Sequence, residues 1–155
     1  MAYAFNGERT FAETGASTGF STVANLYMEQ VQVITVDPSI KTIADLAGKK
    51  VSVGAAGSGT YFNAIDALEA YGLSESDIEP VYQSFGDSTE SLKDGKIDAA
   101  FVVAGAPTTS IVDLATATDV YLVNIDGAEC DAMLDEFVPR AQAVADDVLA
   151  GMRSR

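Results

Sequence analysis

The run IDAAFVVA, from Ile97 to Ala104, restricts the fold more than any other stretch of the chain. It is continuously apolar apart from Asp98, and Gly105-Ala106-Pro107 closes it abruptly. A strand with no polar alternation has to be covered on both faces, which is the situation inside a parallel sheet between two layers of helices. The segments around it supply such layers.

Gln30 to Val36 reads as a strand buried on one face at least, ended by Asp37-Pro38. Thr42 to Leu46 reads as a short helix capped by Thr42, with Asp45 as a partial capping box and Gly48 closing it. Val51 to Gly54 is a strand, and a helix opens at Ser58 or Gly59 and runs to about Tyr71, where Gly72 stops it. Phe62, Ala64, Ile65 and Leu68 make its apolar face. Glu79 to Gln83 is a strand with Pro80 near its start, Ser84 to Asp87 forms its exit, and Ser88 to Lys93 a short helix. After the Ile97 to Ala104 strand come a helix from about Thr109 to Ala115, a strand at Val120 to Ile125 and an acidic helix from about Ala128 to Phe137. Beyond Pro139, Ala141 to Met152 has helical composition.

This alternation predicts an α/β fold: a doubly wound, mostly parallel sheet with helices on both faces. Residues 1–22 are rich in Gly, Ser and Thr, with Tyr3, Phe5, Phe11 and Phe20 spaced along them, and residues 1–29 together are expected to be an irregular arm and the approach to a hinge. Residues 30–137 are the α/β body and 138–155 a helical tail.

The formal net charge is −14, from 9 Lys plus Arg and 23 Asp plus Glu. Residues 1–50 contribute only −1, so the acid lies on the α/β part. Such a balance argues against nucleic acid or an anionic membrane as partner and suits a solvated surface. The chain has no His and no Trp, and a single cysteine, Cys130. Common catalytic triads and most zinc sites are thereby excluded, and Cys130 reads as a packing or incidental thiol. No metal site, cofactor or catalytic residue is assigned. The start, MAYAFNG, lacks the basic and apolar regions of a secretory signal.

In an open α/β sheet, ligands sit beyond the carboxyl ends of the parallel strands. Three loops leave such ends: Gly54 to Thr60, Ser84 to Asp87 and Ala104 to Thr108. The first, within VSVGAAGSGTY, joins a strand to a helix through Gly54, Gly57 and Gly59, with Ser58 and Thr60 at the first helical turn. Glycines admit a sharp turn and close approach, and a helix start offers N–H groups to an anion. A small carboxylate is the ligand this corner suggests, although tight βα turns use glycine in the same way. Neither nucleotide signature fits: no lysine completes a phosphate loop, and the GxxGxG spacing differs from the dinucleotide pattern. Asp94, Asp98 and Asp113 form no spaced cluster, Gln30 and Gln32 read as surface or hinge residues, and Tyr61 and Phe85 could flank a ligand or pack.

Taken in order, SIKTIADLAGKKVSVGAAGSGT, EAYGLSESDIEP, SLKDGKIDAAFVVAGAPT and TDVYLVNIDG resemble the TAXI family of solute-binding proteins, the substrate-capturing subunits of tripartite TRAP-type transporters. The resemblance runs from about Tyr3 to Gly127. It implies a lobe of a type II periplasmic binding protein, mainly the second, with Leu26 to Val36 as the incoming hinge segment. The solute would be a small organic anion, an amino acid such as glutamate or a 2-oxo acid. Facing it would be Gly57, Ser58, Gly59 and Thr60, with Ser84, Phe85, Ala104, Gly105 and Pro107.

The implied protein is not an enzyme, works with membrane permease subunits and resides in the periplasm or outside the cell. The family has about a lobe's worth of chain before YAFNG and crosses back after Phe137, so this sequence reads as one lobe. Self-association through the surface left open is a further expectation. The alternatives are an α/β enzyme holding a phosphate or nucleotide at the same corner, and a folded but inactive fragment.

Overall fold

A computed structural model of the chain describes residues 2–19, 27–135, 138, 139, 142 and 146. The chain divides into two compact units, residues 27–131 and residues 1–26 with 132–155. The smaller unit holds helix α1 (Ala2–Asn6) and a 3₁₀ turn at Arg9–Phe11, so the arm expected to be irregular has some helical backbone. Its turns close through Glu8 N–H to the Tyr3 carbonyl at 2.8 Å and Ser17 N–H to the Ala4 carbonyl at 2.7 Å. The Arg9 guanidinium lies 5.6 Å from the Tyr3 ring centre, a cation–π contact. The expected tail helix, from Ala141 to Met152, lies almost wholly outside the described residues.

The larger unit is built on one sheet of β1 (Gln30–Thr35), β2 (Lys50–Ser52), β3 (Glu79–Val81), β4 (Ala99–Ala104) and β5 (Tyr121–Leu122), in the order β3-β2-β4-β1-β5. Between them run α2 (Gly59–Ala70), α3 (Phe85–Lys93) and α4 (Thr109–Ala117). Residues 128–135 are helical, in agreement with the acidic helix expected there.

Helices do cover both faces. Ala64, Ile65, Ala67 and Leu68 of α2 join Val33, Val51, Val53, Ala99 and Phe101 in one buried cluster. Leu92 of α3 and Leu114 of α4 join Ile34, Ala100 and Val102 in the other. β4 sits mid-sheet with Ala99 to Val102 all buried, as its unbroken apolar run requires.

The sheet is mixed, which corrects the expectation of a mostly parallel one. β2 is parallel to β3 and β4, but β1 is antiparallel to both β4 and β5. β1 is covered on both faces by the helical layers, so its side chains look like those of a parallel strand, and β-branched composition carries no information on direction. α3 also starts three residues earlier than expected, because Ser84 acts as its N-cap instead of belonging to a long exit loop.

The consequence for function is positional. β2, β3 and β4 point the same way, so their carboxyl ends share one sheet edge. Antiparallel β1 brings its amino end to that edge, with Gln30 opposite Ala104.

Candidate functional site

The loop after β2 is shaped by Gly54. Its φ is +85°, and a β-carbon there would stand 2.8 Å from Cβ and Cγ2 of Thr60 and 3.2 Å from the Ser58 hydroxyl. Only glycine permits both the left-handed backbone and this approach. Gly57, at φ +72°, completes the turn, and Ser58 N–H donates to the Ala55 carbonyl at 3.0 Å. Ser58 is the N-cap of α2: its hydroxyl oxygen accepts from Tyr61 N–H at 3.1 Å. Thr60 is buried against Gly54, whereas Ser58 is half-buried and Gly57 and Gly59 are exposed.

The loop after β3 resembles it but is chemically closed. Ser84 caps α3 by accepting from Asp87 N–H at 3.2 Å, and its own proton goes to Asp87 Oδ2 at 2.6 Å. A carboxylate of the protein therefore occupies the positive end of α3. The first turn of α2 contains no acidic residue, and among the described residues the Ser58 hydroxyl proton meets no acceptor. Of these two similar helix starts, α2 is the one with no carboxylate of its own in the first turn.

Buried serines tie the two loops together. Ser52 Oγ and Ser88 Oγ lie 2.8 Å apart, and Ser88 donates to the Ser84 carbonyl at 2.7 Å. Ser88 has one proton, so Ser52 must be the donor to Ser88. On the outer side, the Glu75 carboxylate accepts from the Tyr61 hydroxyl at 3.1 Å and from the Tyr82 hydroxyl. The two rings are 6.1 Å apart. The hydrogen bond to Glu75, with some help from burial, pushes the Tyr82 phenol up to about 12.

The loop after β4 is fastened to β1. Gln32 Nε2 donates to Thr108 Oγ1 at 3.1 Å, and Thr108 donates to the Gly105 carbonyl at 3.1 Å. Ala104 is half-buried against the α3–α4 cluster, as is Phe85, while Pro107 is exposed after a cis peptide bond. A β-carbon on Gly105 would stand 3.5 and 3.6 Å from Cδ2 and Cε2 of Tyr27.

All nine candidate residues thus belong to a strand end, loops or helix starts at the carboxyl ends of the parallel strands. Gly57, Ser58 and Gly59 form the open corner, whereas Thr60 and Phe85 are turned largely into packing. Gln32 and Thr108 bear on the loop geometry, and the two glutamines at the start of β1 were the sequence sign of that. Among the described residues no group of three His, Cys, Asp or Glu side chains could hold a metal ion. No helix among them is long and apolar enough to cross a membrane.

The model of the NMT1-like family matches residues 1–147. Among solved structures, the periplasmic aliphatic sulphonate binding protein SsuA from Escherichia coli is similar at 27% identity and a TM-score of 0.51, over 63% of this chain and 30% of that one. A putative periplasmic sulfonate-binding SsuA from Methylobacillus flagellatus KT shares the fold at 18% identity and a TM-score of 0.53, over 62% of this chain and 28% of that one. The alkanesulfonate-binding SsuA from Xanthomonas axonopodis pv. citri, bound to MOPS, does so at 22% identity and a TM-score of 0.50, over 79% and 47%. The chain spans between about a quarter and a half of the length of these proteins. It belongs to the NMT1-like family, and its fold is that of a periplasmic-binding-protein lobe.

Proposed function

We propose that this member of the NMT1-like family is a solute-recognition lobe that holds a small organic anion at the Gly54 to Thr60 corner. One observation carries the reading: α2 begins with an N-cap hydroxyl whose proton meets no acceptor among the described residues and with no carboxylate in its first turn, while the equivalent start of α3 is closed by its own Asp87. Backbone N–H groups at a helix start together with one hydroxyl donor suit a carboxylate or another oxyanion. The E. coli neighbour's sulphonate is an anion of the same kind.

The finer reading places the chain with the TAXI solute-binding proteins. Its solutes are then small carboxylates such as glutamate or 2-oxo acids, and its partners are TRAP-type permease subunits. It acts in the periplasm or outside the cell as part of a two-lobed receptor, as a binder and not as an enzyme. Residues 30–137 are the recognition lobe, and Gly57 to Thr60, Ser84, Phe85, Ala104, Gly105 and Pro107 surround the solute. A lobe by itself supplies one wall of a cleft, so binding to this chain is weak.

Titration with a panel of carboxylates and sulfonates, followed by amide NMR, tests the reading. The expected result is a saturable shift of the Gly57 to Thr60 amides with millimolar ligand. Absence of any shift across the panel refutes it.

A further inference from the structure

We propose that Gln83 is a further solute-binding residue: its side-chain amide donates to the oxyanion held at the Gly54 to Thr60 corner. The inference rests on that corner being the anion site. Gln83 is half-buried, and its Nε2 is shut off from solvent and meets no acceptor among the described residues. A buried NH2 group without an acceptor costs stability, and an apolar side chain in the same place would avoid that cost. The chain therefore keeps a donor where folding alone does not call for one.

The register of the sheet sets that donor beside the corner. β2 and β3 are parallel with Ser52 opposite Val81, and Val53 N–H donates to the Val81 carbonyl at 3.0 Å, so the strands run side by side up to their carboxyl ends. Gly54 and Gln83 each stand two residues beyond the Ser52 and Val81 pair, the first opening the corner loop and the second directly before Ser84, the N-cap of α3. The hydrogen bonds among Ser52, Ser88 and Ser84 tie the two strand ends together. Adjacent strands are about 5 Å apart, a gap that a glutamine side chain spans. Alternation carried on from β3 starts Gln83 on the side of Val81, which packs against the α3–α4 cluster, while α2 packs on the opposite face. An anion over the strand ends is thus met by the start of α2 from one face and by the Gln83 amide from the other. A carboxylate has two oxygens with about four lone-pair positions, more than the Ser58 hydroxyl alone can fill.

Titration of the full chain with glutamate, propionate and methanesulfonate, followed by NMR of backbone and side-chain amides, tests this beside Gln83→Met, a variant of similar shape without the donor. The bound anion is expected to shift the Gln83 NH2 protons together with the Gly57 to Thr60 amides. Gln83→Met is expected to bind it roughly 3- to 10-fold more weakly, the worth of one hydrogen bond. Without ligand, Gln83→Met is expected to unfold at no lower urea concentration than the unaltered chain, since the amide it loses has no partner in the fold. Unchanged affinity in Gln83→Met, or Gln83 NH2 protons that stay still at saturation, overturns the role of Gln83 and leaves the corner intact. So does a Gln83→Met chain that unfolds at distinctly lower urea or does not fold, because the amide then has a structural partner. If no probe moves the Gly57 to Thr60 amides, the corner falls and the role of Gln83 with it.

Discussion

Gly54 and Thr60 meet so closely that a β-carbon on the glycine would stand 2.8 Å from the threonine side chain. Gly54 is also buried, with φ at +85°. Gly54→Ala therefore adds left-handed strain to overpacking against Thr60, a rigid β-branched neighbour. The expected loss is about 2 to 4 kcal/mol of stability, read from urea unfolding. A loss below about 1 kcal/mol, the ordinary cost of a surface change, would show that the corner relaxes freely.

Ser58 and Ser84 separate capping from recognition. Each caps a helix, so alanine at either position costs about 1 kcal/mol of stability. Among the described residues the Ser58 proton meets no acceptor, whereas Ser84 directs its own to Asp87. Ser58→Ala is expected to weaken anion binding roughly 3- to 10-fold, the worth of one hydrogen bond, and Ser84→Ala to weaken it by less, since the Ser84 hydroxyl gives its proton to Asp87. Equal effects on affinity in calorimetry would remove the distinction between the two helix starts.

Particular residues show how far the sequence reaches. The Thr42 and Asp45 pairing was visible as a local spacing, and Asp45 Oδ2 does accept from Thr42 N–H at 2.9 Å. Periodicity placed α2 and β4 within two residues, and the apolar run of β4 implied cover on both faces. The direction of β1 was hidden, because alternation of side chains is the same in parallel and antiparallel strands. The three candidate loops were legible as glycine and hydroxyl residues after strands. Which hydroxyl stays open was not, since the Ser84 to Asp87 bond and the burial of Thr60 depend on local three-dimensional geometry.

Ser88 offers a test of the buried link between strand and loop. Ser52 donates to Ser88, and Ser88 to the Ser84 carbonyl, with Ser52 and Ser88 fully buried. Ser88→Ala leaves the Ser52 hydroxyl without this acceptor, while the Ser84 carbonyl loses one of two donors and keeps the Ser88 N–H at 2.9 Å. A loss of about 1 to 3 kcal/mol in thermal unfolding is expected. Ser52→Ala combined with Ser88→Ala costs less than the sum of the single changes, because the two share one interaction. Strict additivity in the double-mutant cycle would contradict the link.

Tyr82 makes stability depend on alkaline pH. Its hydrogen bond to the Glu75 carboxylate requires the neutral phenol, which pushes the folded value from 10.0 up to about 12. The folded state thus holds this proton more tightly than the unfolded chain does. The contribution to stability is complete below pH 10 and is lost as pH rises through 10 towards 12. Tyr82 is half-exposed, so solvent screening keeps the effect small. Glu75→Gln removes the negative charge while keeping an acceptor, and it is expected to bring the Tyr82 titration back towards 10.0. Tyrosinate absorbance, taken as the difference from Tyr82→Phe, resolves this one phenol among the six tyrosines. An unchanged difference titration in Glu75→Gln would mean that Glu75 does not hold the phenol. The same variant loosens Tyr61, the residue following Thr60, so any weakening of anion binding in Glu75→Gln ties this outer clamp to the corner.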